Sequence, residues 1–422
     1  MAVTQDKLAI FGGPKAVTID PIDRWKRIGD EEIVIVTEML RREEISTPGT
    51  GVMAEFEREF AEYHGVKYAL SQNSGTSCLH AAYFAVGVGP GDEVIVPSYT
   101  WGNMVTPILH TQGIPVFCEI DPHTLLADPE DIERRITPRT KAICIVHIWG
   151  NVADMDAIMA VARKYGLAVI EDCSHAHGAE YKGKKVGTIG DVGCFSLQGG
   201  KCIVAGEGGV VITNNTELYE RILILGHQGR VARDLVTDKY AFLGSMGLGW
   251  KYRAHPLAMG IAKVQLKKLD SINAKRAKVW EKLDEGLKEV PGIEVPAVYP
   301  GVKRGGFYEY RVIYHPEQLF GLSRDRFVEA LVAEGVPAAA CRYPLCHLEP
   351  LFNGYNYYGK GCPFNCPHAV ERRRYVRGDL PITEDVHSRL IALPPYTEPP
   401  DGLIDQIIEA FHKVAKNSKY LV

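Results

Sequence analysis

Between residues 67 and 213 the chain alternates short, continuous, β-branched apolar runs with longer amphipathic stretches, and few folds accept that pattern. The runs are Tyr68-Ala69-Leu70, Glu93 to Val96, Pro115 to Cys118, Ala142 to Val146, Ala168-Val169-Ile170, Gly193 to Ser196 and Gly209 to Ile212. Runs of this length without polar alternation read as strands buried on both faces, which is how strands of a mainly parallel sheet read. The segments between them have helical spacing. Ser77 to Val86 is one, and Asp154 to Tyr165 is another, with Met155, Ile158, Met159 and Val161 along one side. Strand alternating with helix predicts an α/β layer structure with a seven-stranded sheet between helices. Such sheets bind ligands at the carboxyl ends of their strands. Asp172 and the Gly75-Thr76-Ser77 turn both fall there.

A chain of 422 residues is too long for one small core. The expected organisation is an N-terminal arm over 1–29, a large domain over 30–272 and a smaller α+β domain over 273–422. A long helix after Pro256, running past Trp280, is the expected connector. In the C-terminal part Tyr310 to Tyr314 reads as strand, and Arg324 to Glu334 and Leu403 to Ala415 as helices. The Tyr- and Arg-rich stretch from Gly354 to Arg377 reads as an irregular excursion near the active site or a subunit contact.

Composition excludes several classes. The net charge of −4 with no basic stripe argues against nucleic acid as partner. No run approaches the ~20 uncharged apolar residues of a membrane span, and the first residues lack an apolar signal core, so a cytoplasmic location is expected. Most of the ten cysteines sit singly in apolar runs, as buried reduced thiols do. Cys362 and Cys366, with His368 nearby, invite a metal reading. No second Cys/His pair at zinc spacing accompanies them, so no metal is expected and a proline-held surface loop is preferred.

Three pieces in order carry chemistry. Ser74-Gly75-Thr76-Ser77 opens a helix, where exposed N–H groups and the positive dipole end favour a dianion; the competing reading is a simple cap. Asp172 ends a buried strand and could either cap a following helix or keep a pyridine nitrogen protonated. His175 could bond a ring hydroxyl or be a core histidine. Lys201 follows a strand and Gly199-Gly200, with the hydroxyl of Ser196 five residues earlier. A lysine alone is usually solvated. Phosphate turn, ring aspartate, hydroxyl and lysine in this order are instead what a chain needs to hold pyridoxal 5'-phosphate (PLP), the lysine forming the Schiff base. Trp101, just past a strand end, could stack on the ring or simply pack.

On these residues the chain resembles the DegT/DnrJ/EryC1/StrS family of PLP-dependent sugar and cyclitol aminotransferases, of fold type I. The likeness rests on Asn73-Ser74-Gly75-Thr76, Gly89 to Pro97, Glu171 to Ala179, Phe195-Ser196 and Gly206-Glu207-Gly208-Gly209. The opening Leu8 to Ala16 and Val146 to Gly150 look most like the branch that uses glutamine to aminate scyllo-inosose-type ketones in aminoglycoside formation. The resemblance implies a ping-pong aminotransferase. Lys201 binds the cofactor and shuttles the proton, Asp172 pairs with the ring nitrogen and His175 lies near the ring hydroxyl. Gly75, Thr76 and Ser196 hold the phosphate, and Trp101 covers the ring. It implies a homodimer with shared active sites, in which the partner supplies a phosphate contact. The family's Gly-Tyr-Asn-Tyr-Arg motif is Gly249-Trp250-Lys251-Tyr252-Arg253 here, so Lys251 takes the place of a neutral amide. Lys201 argues against the family's dehydratases, which carry histidine at that position. For hydroxyl recognition the candidates are His147, Arg253, Tyr343 and His347. Rival readings are a nucleotide-linked keto-sugar aminotransferase, an aminohydroxybenzoate-synthase-like enzyme, and a non-catalytic regulator that kept the fold.

Overall fold

The computed structural model describes residues 7–341, 343–356, 358–365, 367–369 and 374–422. All seven expected strands form, and they form one sheet. They are β1 (Tyr68–Gln72), β2 (Glu93–Pro97), β3 (Ile114–Cys118), β4 (Thr140–Val146), β5 (Ala168–Asp172), β6 (Val192–Ser196) and β7 (Gly209–Thr213). Their order across the sheet is β1-β7-β6-β5-β4-β2-β3. Every pairing is parallel except the two made by β7, which runs antiparallel to both β1 and β6. Successive residues of a strand point to opposite faces, yet β2, β3, β6 and β7 are buried at every position, so both faces are covered.

The helices start and stop where local chemistry directs. Asp154 caps Met155–Tyr165 by accepting from the Ala157 N–H, and Gly166 ends it in the left-handed region. Pro256 opens a helix that continues unbroken to Leu287. The expected 272/273 boundary falls within this helix, the connector expected from the sequence. Beyond it a smaller antiparallel sheet forms from β8 (Ile293–Glu294), β9 (Tyr310–Tyr314), β10 (Ala339–Ala340) and β11 (Leu390–Leu393), in the order β8-β9-β11-β10. Helix Arg324–Ala333 packs against it, and Leu403–Lys416 packs on that helix and on the long one.

Residues of the N-terminal arm are tied to distant parts of the chain. The Ala9 and Ala16 N–H groups donate to the Glu334 carboxylate, and the Arg24 N–H donates to the Glu398 carbonyl. No helix among the described residues is long and apolar enough to cross a membrane. The described cysteines are free thiols; Cys362 is half-buried, and Cys366 lies outside the described residues, as do Tyr357 and residues 370–373 of the Gly354–Arg377 stretch. The described part of that stretch contains neither helix nor strand, and its Tyr375 hydroxyl accepts from the Phe117 N–H of β3.

Candidate active site

A cavity of about 500 Å³ opens at the carboxyl ends of β4, β5 and β6. Val146, Asp172 and Ser196, the last residues of those strands, all reach it. So do Gly75, Thr76, Trp101, His175, Lys201 and Tyr343. Segments far apart in sequence thus converge where an α/β sheet is expected to bind.

One end is built for an anion. Ser74 caps helix Gly75–Ala85, accepting from the Ser77 N–H at 3.0 Å, while the Ser77 hydroxyl donates to the Ser74 carbonyl at 2.8 Å. That cap leaves the first helical N–H groups, those of Gly75 and Thr76, without intrahelical acceptors. Gly75 has to be glycine, because a Cβ there would lie 2.8 Å from the Ser196 Cβ. Its absence lets β6 bring the Ser196 hydroxyl beside the helix start. Asn103, at the start of the next helix, donates to the Thr76 hydroxyl at 3.1 Å.

The floor is acidic. Asp172 is buried and accepts from the Ser174 N–H at 3.0 Å and from the Ser174 side chain. Burial pushes its carboxyl pKa above the ordinary range. Its neighbour Glu171 points the other way, into the core. There it accepts from the Gly187, Ile189 and Gly190 N–H groups at 2.7, 2.8 and 2.6 Å, and from His147 Nε2 at 3.0 Å. Adjacent carboxylates on one strand thus divide the labour, as strand alternation requires.

The wall is aromatic. The His175 imidazole stacks on Tyr308 (4.2 Å between centroids, 17°) and on Trp149 (5.1 Å, 21°), with Nε2 3.3 Å from the Tyr343 hydroxyl. The Lys201 Nζ sits 4.1 Å from the centroid of the same Tyr308 ring. Trp101 stands half-exposed at the mouth, 5.2 Å from Tyr343.

Lys201 rides on a turn closed by its own N–H to the Gln198 carbonyl at 2.8 Å and by Gly199 N–H to the Gly206 carbonyl at 2.9 Å. Arg27 of the N-terminal arm braces this turn. Its guanidinium donates to the carbonyls of Gly199 and, at 3.2 Å, Lys201. Removing the brace in Arg27→Ala should raise amide hydrogen exchange across residues 198–206 by about tenfold or more, while exchange in β5 stays put. Equal protection in both proteins would show that the arm does not order the lysine turn.

The substrate candidates His147, His347 and Arg253 do not line the cavity, and Lys251, expected at the partner's site, does not line its own. His147 is fully buried: Nε2 meets Glu171, and Nδ1 accepts from the Ala153 N–H at 3.2 Å. His347 is likewise committed, with Nδ1 2.6 Å from the Ser98 hydroxyl and Nε2 3.1 Å from Glu384. Neither ring has a nitrogen to offer a substrate hydroxyl. Arg253 pairs with Gln72 at the end of β1, and Lys251 is exposed, its carbonyl accepting from the Asn73 side-chain amide at 3.5 Å. Sequence reasoning in turn missed Arg27, Asn103 and Tyr308. Asn103, two residues past Trp101 on a helix start, was within reach; nothing local marks Arg27 or Tyr308.

The match of residues 26–412 to the sequence pattern of the DegT/DnrJ/EryC1/StrS aminotransferases decides what this cavity belongs to. The chain is a member of that family. As such it is an aminotransferase. Two aligned relatives are similar over most of their length. One is an L-glutamine:2-deoxy-scyllo-inosose aminotransferase of Streptoalloteichus tenebrarius, 39% identical over 371 residues, or 82% of each chain. The other carries the same name in Streptomyces kanamyceticus, 34% identical over 429 residues, covering 98% of this chain and 94% of that one. Among solved structures, DesI in the presence of its TDP-sugar product matches with a TM-score of 0.79 at 27% identity, over 100% of this chain and 98% of that one. The fold-type I architecture expected from the sequence is the one observed.

Proposed function

We propose that the protein is a PLP-dependent sugar or cyclitol aminotransferase. It moves the amino group of L-glutamine, or L-glutamate, to a keto-cyclitol such as scyllo-inosose or 2-deoxy-scyllo-inosose, within aminocyclitol formation. One observation carries the cofactor reading: an anion-binding helix start, a buried carboxyl and a lysine amine line one cavity. A carboxyl buried as deeply as that of Asp172, with its pKa raised, is stabilised as an anion by a cationic N–H partner, and a protonated pyridine nitrogen is one.

When bound, PLP supplies an aldehyde that takes up the amino group and a ring that withdraws electrons from the carbon losing its proton. The protein's groups do the rest. Gly75 and Thr76 N–H groups, with the hydroxyls of Thr76 and Ser196, hold the phosphate. Asp172 keeps the ring nitrogen protonated. Lys201 anchors the cofactor through its Nζ and then moves a proton as general base and acid in both half-reactions. His175 serves the ring hydroxyl, and Trp101 closes the mouth. Tyr343, Gln198 and Glu207, which line the cavity, would meet the substrate hydroxyls.

The active unit in this reading is a homodimer. The exposed Lys251 amine, unused at its own phosphate site, would reach the phosphate of the other subunit as a point charge.

Similarity to two glutamine:2-deoxy-scyllo-inosose aminotransferases at 39% and 34% identity favours the cyclitol ketone. The match to DesI keeps a nucleotide-linked keto-sugar as the second reading. A glutamine-coupled assay with both ketones separates them. Turnover of 2-deoxy-scyllo-inosose at least about a hundredfold above a TDP-keto-sugar, in kcat/KM, is expected, because a site built for a substrate's hydroxyls rejects a ligand that leaves them unpaired. The reverse ratio would replace the cyclitol reading with the sugar one.

A further inference from the structure

Behind His175 lies a set of contacts for which the proposed chemistry has no use. Trp149 is the middle residue of the turn Ile148–Gly150 that comes after β4. Its backbone sits at φ +58°, a left-handed conformation that bulky residues rarely adopt. Close packing of three backbone segments holds it there. A Cβ on Gly150 (φ +99°) would lie 2.4 Å from the Gly305 carbonyl oxygen, and one on Gly306 (φ +73°) would lie 2.2 Å from the His175 carbonyl oxygen. Residues 149–150, 175–177 and 305–308 are therefore packed main chain against main chain. The strain arises from where the turn must put its groups.

Those groups converge on His175. The Trp149 N–H points at His175 Nδ1, 3.4 Å away, and the indole stacks on the imidazole. The indole Nε1–H donates to the Tyr99 hydroxyl at 3.1 Å, fixing the plane of the ring. The Arg311 guanidinium lies 4.4 Å from the Trp149 ring centroid. Arg311 is 3% exposed; Nη2 donates to Glu309, while Nε and Nη1 have no hydrogen-bond partner among the described residues. A buried cation with idle donors is costly; the Glu309 carboxylate pairs with its charge, and the indole face covers the guanidinium.

We propose that Trp149, clamped by Arg311, is the positioning residue of His175: it fixes the imidazole plane and makes Nδ1 the acceptor, so that Nε2 carries the proton and presents it beside Tyr343. An Nδ1 that accepts from a backbone N–H has to keep its lone pair, which leaves the proton to Nε2. His175 then offers the cavity a donor in a set direction. The inference rests on the PLP reading only for what that donor serves, the oxygen of the bound ring.

The test uses the full-length protein. In the cofactor-free wild type, ¹⁵N-histidine spectra, with His175 assigned by the resonance lost in His175→Gln, should show the Nε2-protonated tautomer. Trp149→Ala should mix the tautomers and weaken PLP binding, read by fluorescence titration, about tenfold, as loss of an orienting partner typically does. Both variants keep the backbone N–H; Trp149→Phe also keeps a ring stacked on the imidazole to hold it against that N–H, and should stay within about threefold of wild type. Arg311→Met, which keeps bulk and removes the charge, should move both readouts in the direction of Trp149→Ala. An Nδ1-protonated wild type overturns the proposal. So does Trp149→Ala, or Arg311→Met should the alanine variant not fold, with unchanged tautomer and affinity. A wild type that binds no PLP would instead sink the cofactor reading and leave the tautomer result standing.

Discussion

Lys201→Ala folds normally and loses at least about a thousandfold in glutamine-dependent transamination, because a covalent anchor and a general acid/base leave together. The fold survives because the side chain serves the cavity rather than the core. Lys201 is half-buried on a turn held by backbone hydrogen bonds, by the Gln198 side chain and by Arg27. Its Nζ contact with the Tyr308 ring contributes on the order of 1 kcal/mol, so the thermal midpoint should move only a few degrees. PLP retained by the variant through the phosphate end and Asp172 would be lost on dialysis. Two measurements check the assignment. Borohydride reduction of the wild-type holoenzyme should tag Lys201 alone, and a stopped assay of the variant should show no turnover above background. Normal turnover, or a tag on another lysine, would remove the basis for every role assigned to the cavity.

How much of this was legible beforehand depends on the range of the forces involved. The seven strands and the long helix are local: β-branched runs and 3.6-residue spacing lie within single segments, and each strand appears where its run predicts. The polarity of β7 is not local. Gly209 to Ile212 reads as any buried strand, and its antiparallel pairing with β6 comes from the short return through the Lys201 turn, which leaves no room for a crossover helix.

At the site, residues lying at strand ends and helix starts were readable, because sheet geometry alone carries Asp172, Ser196 and Gly75 to one edge. Histidines were not. His147 and His175 both come just after strands at the same edge. Only their partners, Glu171 for one and Tyr308 with Trp149 for the other, decide which faces the core and which the cavity. Tyr308 and Arg27 come from segments more than a hundred residues from the strand that they serve, and no spacing rule reaches that far.

The same strand end predicts the largest loss of stability. Glu171→Gln should lower the unfolding free energy by roughly 3–5 kcal/mol at neutral pH, the range seen when a buried charge network loses a member. Both carboxylate oxygens are fully used: Oε1 accepts from Ile189 and Gly190, and Oε2 accepts from Gly187 and His147. A glutamine amide turns one oxygen into an NH2 group facing backbone N–H donors, so at least one buried donor pair is left unmatched. Burial alone would push the Glu171 pKa up, but the bond from His147 and the backbone N–H groups outweigh it and hold the carboxyl below its ordinary range. That direction fixes the sign of the pH dependence. A carboxyl whose folded pKa lies below its unfolded one contributes its stability in full above the unfolded value, and that contribution is lost as pH falls through the folded value. The gap between wild type and Glu171→Gln, read as a shift in urea midpoint at constant slope, should therefore be widest near pH 7 and narrow below about pH 4. A variant as stable as wild type at pH 7, or a gap that widens on acidification, would mean that Glu171 does not hold the loop after His175 against β5, and that the floor beneath Asp172 is fixed by something else.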